Sequence, residues 1–225
     1  MIRGAAVRLG RLSGRLAIAA RSWVLGVKRV PPNYAFLPRF RSGDVAIDAG
    51  TGDDPDFSRH LLAGYGLECF AVDPTRKHAP ALRRLEGELR GFHYLPLALG
   101  PSTGKAEFYE SLANVSGSLL PGHWNVVRDP LRSYQVEAVT FGELRRRVGR
   151  PSIAIAKLDL EGAEYAVIAG LQPADLEGVG QLLVEFHHDI VEGITQLQTG
   201  EAISRLKGLG FQPLVFNGRD CLFYR

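Results

Sequence analysis

In the run LVEFHH, the period of two along a strand sets Glu185 and His187 on one face and Phe186 and His188 on the other. The run SIAIAKLDL ends in Asp159, so two neighbouring strands of this kind bring Asp159, Glu185 and His187 together at their exits. Two chemistries fit that trio. A histidine beside carboxylates serves as a general base near neutral pH. The same two carboxylates and one imidazole can instead hold a Mg2+-like ion. A plainer alternative is a hydrogen-bonded Glu185–His187 pair that only fixes a strand end. His187 is the first candidate for the base and His188 the weaker one.

Further candidates surround this trio. In DLEGAE, Gly162 lets a helix start close to a ligand or the sheet, and Glu161 and Glu164 lie three apart, on one face of that helix. Carboxylates in a first helical turn also suit the helix dipole with no further role. Ser116, Ser118, Tyr109 and Trp124 can shape an acceptor pocket, although NVSGS also reads as a simple exposed loop.

The elements that must position these residues alternate along the chain. DVAIDAG, LECFAVDP and FHYLPLALG read as strands, separated by the helices SRHLLAGYG and APALRRLEGELRG. GKAEFYES and SYQVEAVTF are alternating runs around a polar loop. SIAIAKLDL, a helix over 162–170, QLLVEF and the helix EAISRLKGLG follow. The pair FQPLVF and CLFYR is joined by NGRD, whose Asn-Gly is a hairpin signal. The expected architecture is α/β: a mostly parallel sheet covered by helices, closed by an antiparallel strand. In open sheets of this kind ligands bind beyond the carboxyl ends of the strands. Carboxylates stand at four of the five exits, which suits a ligand with hydroxyls or positive charge.

IDAGTGDDPDFS, at the first exit, narrows that ligand. A dinucleotide turn would place a third glycine or alanine at position 55, where this chain has Pro55. Asp53, Asp54 and Asp56 would also crowd a pyrophosphate. S-adenosylmethionine carries a sulfonium, an ammonium and no phosphate, and suits the turn better. Asp73, 25 residues after Asp48 and at the next exit, can accept from both ribose hydroxyls.

The motifs IDAGTGDDPDFS, AVDPTRKHAPALRRL, LPLALGPSTGKAEFYES, NVSGSLL, KLDLEGAEYAVIAGL and LLVEFHH, in that order, resemble those of FkbM-type S-adenosylmethionine-dependent methyltransferases. The resemblance implies a Rossmann-like class I methyltransferase fold with a seven-stranded, mostly parallel sheet and a C-terminal antiparallel hairpin strand. It implies that Asp48, Gly50 and Gly52 face the methionine part of the cofactor, Asp73 the ribose, and Ala98 and Leu99 the adenine. It further implies methyl transfer to oxygen, on a hydroxyl of a sugar, glycoside or polyketide-like small molecule. Two departures stand out: Gly50-Thr51-Gly52-Asp53-Asp54 replaces the usual Gly-Ala-Asn-x-Gly, and Thr140-Phe141-Gly142 replaces Thr-Leu-Asp. An NAD-linked oxidoreductase and a non-catalytic protein that binds a nucleoside or associates with a membrane or nucleic acid are the competing readings.

Charge divides the chain into a basic helical arm over 1–41 and a methyltransferase domain over 42–225. The arm carries nine of the 27 Lys and Arg residues and no acid, so the remaining 18 face all 24 acids, a balance of −6. Leu9, Leu12 and Leu16 recur at helical spacing, flanked by Arg8, Arg11 and Arg15, and Pro31 and Pro32 close the helix. Such an arm can pack on the domain, touch a membrane surface peripherally or join a homo-oligomer; no nucleic-acid partner is expected. Arg15 and Arg21 interrupt its only apolar stretch, which argues against a signal peptide. The two cysteines, Cys69 and Cys221, sit in strands and read as buried thiols in a reducing, cytoplasmic setting.

Overall fold

The computed structural model describes residues 16–225, and the arm's Arg8, Leu9, Arg11, Leu12 and Arg15 lie outside the described residues. Residues 16–25 form α1, followed by a hairpin of β1 (Lys28–Val30) and β2 (Tyr34–Phe36) around Pro31 and Pro32. The assignment of 1–41 to a helical arm is thereby corrected. The prolines turn a hairpin, and Phe36 and Leu37 are buried in the body.

The main chain of alternating elements then begins. β3 (Val45–Ala49) is buried throughout, as a strand covered on both faces must be. α2 (Asp56–Tyr65) starts after Pro55 and stops at Gly66, whose φ of 66° closes the helix in the left-handed conformation. β4 (Glu68–Val72) and α3 (Ala79–Glu88) follow.

FHYLPLALG departs from the expected single strand. Pro96 interrupts it, because proline cannot donate to a ladder. β5 (Phe92–Leu95) joins the main sheet, whereas β6 (Ala98–Leu99) joins a second sheet. That sheet is completed by β7 (Gly104–Ser111), β8 (Gly117–Ser118) and β9 (Leu131–Val139), with the short α4 (Trp124–Val127) between the last two.

α5 (Phe141–Val148) is capped by Thr140, which accepts from the Glu143 N–H, and closed by Gly149. β10 (Ile153–Leu158), α6 (Glu164–Gly170), a 3-10 turn at Pro173–Leu176 and β11 (Val179–Glu185) come next. α7 (Gln196–Gly208) starts on a Thr195–Gln198 capping box and leads into the antiparallel pair β12 (Gln212–Val215) and β13 (Asp220–Tyr224).

The seven-stranded sheet runs β12-β13-β11-β10-β3-β4-β5. β3, β4, β5, β10 and β11 are parallel, and β13 is antiparallel to both its neighbours. This is the Rossmann-like class I methyltransferase arrangement, with the order of strands reversing between β3 and β10. Two apolar clusters, one around Ile47, Ala156 and Val184 and one around Phe57, Cys69 and Leu82, contribute to its two faces. Cys69 and Cys221 are free and buried.

The strand exits at the reversal are packed backbone to backbone. Gly50 has a φ of +76°, and a Cβ there would lie 1.7 Å from the Asp159 carbonyl oxygen. Gly50→Ala is therefore expected to cost about 2–5 kcal/mol through strain and overpacking. Urea denaturation measures it, and an unchanged midpoint would contradict this packing.

Candidate functional site

The exits of β3, β4 and β10 border a cavity of about 300 Å3, walled by Val72, Leu97, Leu99 and Phe108 on its apolar side. At its polar rim the Gly52 N–H donates to Asp73 Oδ2 at 2.8 Å and the Thr75 N–H to Asp73 Oδ1 at 2.8 Å. Burial pushes the Asp73 carboxyl up, but the bonds from His78 and Thr75 outweigh it and hold the carboxyl below the usual carboxylate range. Asp73 is thus an ionised acceptor at the cavity rim.

Lys157 is the residue that the sequence reading passed over. It is the register partner of Asp48, and its ammonium is buried. Nζ donates to the Gly50 carbonyl at 2.9 Å and lies 3.0 Å from Asp159 Oδ2 and 3.5 Å from Asp48 Oδ1. Burial works against its charge, but Asp159 and Asp48 outweigh it and raise its pKa. Asp48, 1% exposed, turns to Lys157 and to the Ser58 hydroxyl, which donates at 2.8 Å. Asp48 stands behind the cavity wall, where it fixes Lys157 and α2.

His187 is likewise set back from the cavity wall. Its Nδ1 is 3.1 Å from Glu164 Oε1, which also accepts from the His187 N–H at 2.9 Å. Its Nε2 lies 3.6 Å from Asp159 Oδ1 and 3.5 Å from Glu161 Oε2. Burial opposes protonation, yet Glu164, Asp159 and Glu161 prevail and push the imidazole up to about 10. A ring held in its charged form by these carboxylates is better suited to positioning them than to taking a proton. His188 pairs with Thr199 through Nδ1 at 3.0 Å.

Glu161 and Glu164 do not share a helical face. α6 starts only at Glu164, and Glu161 precedes it with a φ of +50°. That unfavourable backbone is held by Ser118, whose hydroxyl donates to the Glu161 carbonyl at 2.8 Å. His123, fully buried, brings Nε2 to 2.7 Å from Glu161 Oε2. Burial pushes the Glu161 carboxyl up, but His123 and His187 bring it below the usual range. His123 gave no sequence signal, since it stands alone in the loop PGHWN.

A smaller cavity of about 100 Å3 lies beyond Lys157 and Asp159, closed by Asn33 and Tyr34 from the hairpin and by Glu185 and Asp220. Tyr34, Lys157 and Asp159 wall both cavities. Glu185 has no hydrogen-bond or ion-pair partner among the described residues. Burial first, then the charge of Asp159, pushes its carboxyl up to about 7.

Gly50, Gly52, Asp73, Ala98, Leu99 and Asp159 thus meet at the larger cavity, and Glu185 joins Asp159 at the smaller one. Ser116 reaches the larger cavity, but Tyr109 does not; its strand neighbour Phe108 takes that place. Trp124 is half exposed under Arg128.

A family model described as the methyltransferase FkbM domain matches residues 23–213. No curated protein matches the chain. Among solved structures, fibrillarin from Aeropyrum pernix with natively bound S-adenosyl-L-methionine is 12% identical at a TM-score of 0.47, over 95% of this chain and 73% of that one. An rRNA methylase from Streptococcus thermophilus is 14% identical at 0.40, over 82% and 86%. A methyltransferase from Pyrococcus furiosus is 10% identical at 0.42, over 97% and 98%.

Proposed function

Because this chain belongs to the FkbM methyltransferase family, we propose that it moves the methyl group of S-adenosylmethionine to a hydroxyl oxygen of a sugar, glycoside or polyketide-like small molecule. The observation that carries this reading is the shared wall: a larger and a smaller cavity meet at Tyr34, Lys157 and Asp159, so a donor and an acceptor can face each other across it. Two free, buried cysteines are in keeping with a reducing, cytoplasmic setting.

The residues of the larger cavity fit the cofactor. Asp73 offers lone pairs to ribose hydroxyls, and Leu97, Leu99 and Phe108 give apolar walls for adenine. The turn carries Asp53 and Asp54 at this cavity, a poor lining for a phosphate and a good one for a cation. Asp159 and Glu161 stand on the same wall as acceptors for an ammonium. Once bound, S-adenosylmethionine supplies a methyl group made electrophilic by its sulfonium.

The acceptor hydroxyl must lose a proton, and Glu185 is the group placed to take it. Its carboxylate is unpartnered, faces the smaller cavity and titrates near neutral pH. Protonated His187 holds Asp159 and Glu161 in place from behind, as a positioning residue.

One donor atom each from Asp159, Glu185 and His187 lies within 4.8 Å of the others. Mg2+ fits this set poorly. Lys157 already sits 3.0 Å from Asp159, and His187 is bound to Glu164 and protonated.

Calorimetry with S-adenosylmethionine, S-adenosylhomocysteine and NAD tests the cofactor assignment. Asp73→Asn is expected to weaken the two sulfur ligands by roughly 10- to 100-fold, the loss of charge-assisted hydrogen bonds. Binding of NAD alone would overturn the assignment. Cofactor binding with no methyl transfer to any hydroxylated acceptor would favour a nucleoside-binding role.

A further inference from the structure

α1 is apolar on two sides. Ile18 and Leu25 turn inward, against a cluster of Leu37, Leu214, Leu222 and Tyr224. Leu16, Trp23 and Val24 turn outward and are 70%, 85% and 75% exposed. Positions 16, 23 and 24 are separated by seven and eight residues, so they form one stripe along the helix.

The polar residues of the helix do not relieve this. Between 16 and 25 only Arg21 and Ser22 are polar. Arg21 donates to the Tyr224 hydroxyl at 2.7 Å, and the Ser22 hydroxyl to the Ile18 carbonyl at 2.7 Å. Of the exposed residues of the helix only Arg21 is polar; Leu16, Ala17, Ala19, Ala20, Trp23 and Val24 are apolar. A surface helix so poor in polar side chains is one whose outer face suits an apolar neighbour.

Charge says which neighbour. The first 41 residues carry nine Lys or Arg and no acid. Lys28 follows the helix directly and is exposed. Two copies meeting on this face would bring like charges together. A nucleic acid would satisfy the charge and leave Trp23 and Val24 in water. An anionic bilayer satisfies both, with tryptophan at the depth it favours and the basic residues over the headgroups. Among the described residues no helix is long and apolar enough to cross a membrane.

We propose that the outward stripe of α1, Leu16, Trp23 and Val24, seats this protein on an anionic lipid surface. The proposal does not depend on the transferred group.

The test is co-sedimentation of the full chain with vesicles of phosphatidylglycerol and phosphatidylcholine in equal parts, and with phosphatidylcholine alone. The protein is expected to sediment with the mixed vesicles. The double substitution Trp23→Ser, Val24→Ser should lower that partitioning by about 10- to 100-fold, with an unchanged melting curve because both side chains are exposed. In a Trp124→Phe background, the remaining Trp23 fluorescence should shift to the blue on binding. Equal partitioning of the double variant would overturn the proposal, since charge alone would then bind. So would retention on DNA, or a dimer lost in the variant, where the mixed vesicles bind nothing.

Discussion

Glu185→Gln is expected to lower turnover by about 10²–10⁴-fold while leaving the affinity for S-adenosylmethionine unchanged, the size of a lost general base. The substitution keeps the shape of the side chain and removes its ability to accept a proton. Glu185 must be ionised to act, so the wild-type rate should climb as pH rises through about 7 and level off above it. The variant should lack that limb. Stability should move the other way. A carboxyl whose folded pKa is raised holds its proton in the folded state, and the stability this contributes is lost as pH rises through about 7. Above that pH the neutral glutamine should melt higher than wild type. A variant that is more stable and nearly inactive would carry the signature of a strained catalytic group. Wild-type turnover with the same pH limb would place the base elsewhere.

Lys157→Met should be strongly destabilising. It leaves Asp48 and Asp159 without the ammonium that lies between them, and breaking a buried ion pair by removing one partner costs about 3–5 kcal/mol. That is a large share of a typical domain's 5–15 kcal/mol. Urea denaturation reads the loss directly. Adding Asp48→Asn should recover part of it, because the amide keeps a partner in the Ser58 hydroxyl and removes one stranded charge. A single variant as stable as wild type would mean that the pair contributes nothing, and a double variant less stable than the single would show that Asp48 serves some other partner.

The sequence made the central strands and helices readable because their apolar runs are bounded by glycine, proline and capping residues, as at Gly66, Thr140 and Thr195. It could not show where side chains point in a strand buried on both faces. In VAIDA every position is buried, so nothing in the pattern tells whether Asp48 looks at a ligand or at the next strand. Lys157 did leave a trace, a lone cation within IAIAKL, but its meaning depends on the register that sets it beside Asp48. His187 was legible as a residue of the site, but the partners that set its charge were not. Its proton is held by Glu164 and Glu161, which the local turn at Gly162 brings to it. β1 and β2 escaped because three-residue strands show no alternation.

The seat of the hairpin has a consequence for how the chain comes together. Leu37 exchanges two hydrogen bonds with the Gln181 side chain, at 2.7 and 2.9 Å, and α1 rests on β12 and β13. A segment early in the described chain therefore docks on strands that follow it by more than 140 residues. Contacts at such separation in sequence form late and slow folding. A nascent chain halted before β13 would have its parallel strands in hand, and Tyr34 already against Asp56 and Phe57, while α1 still lacked its seat.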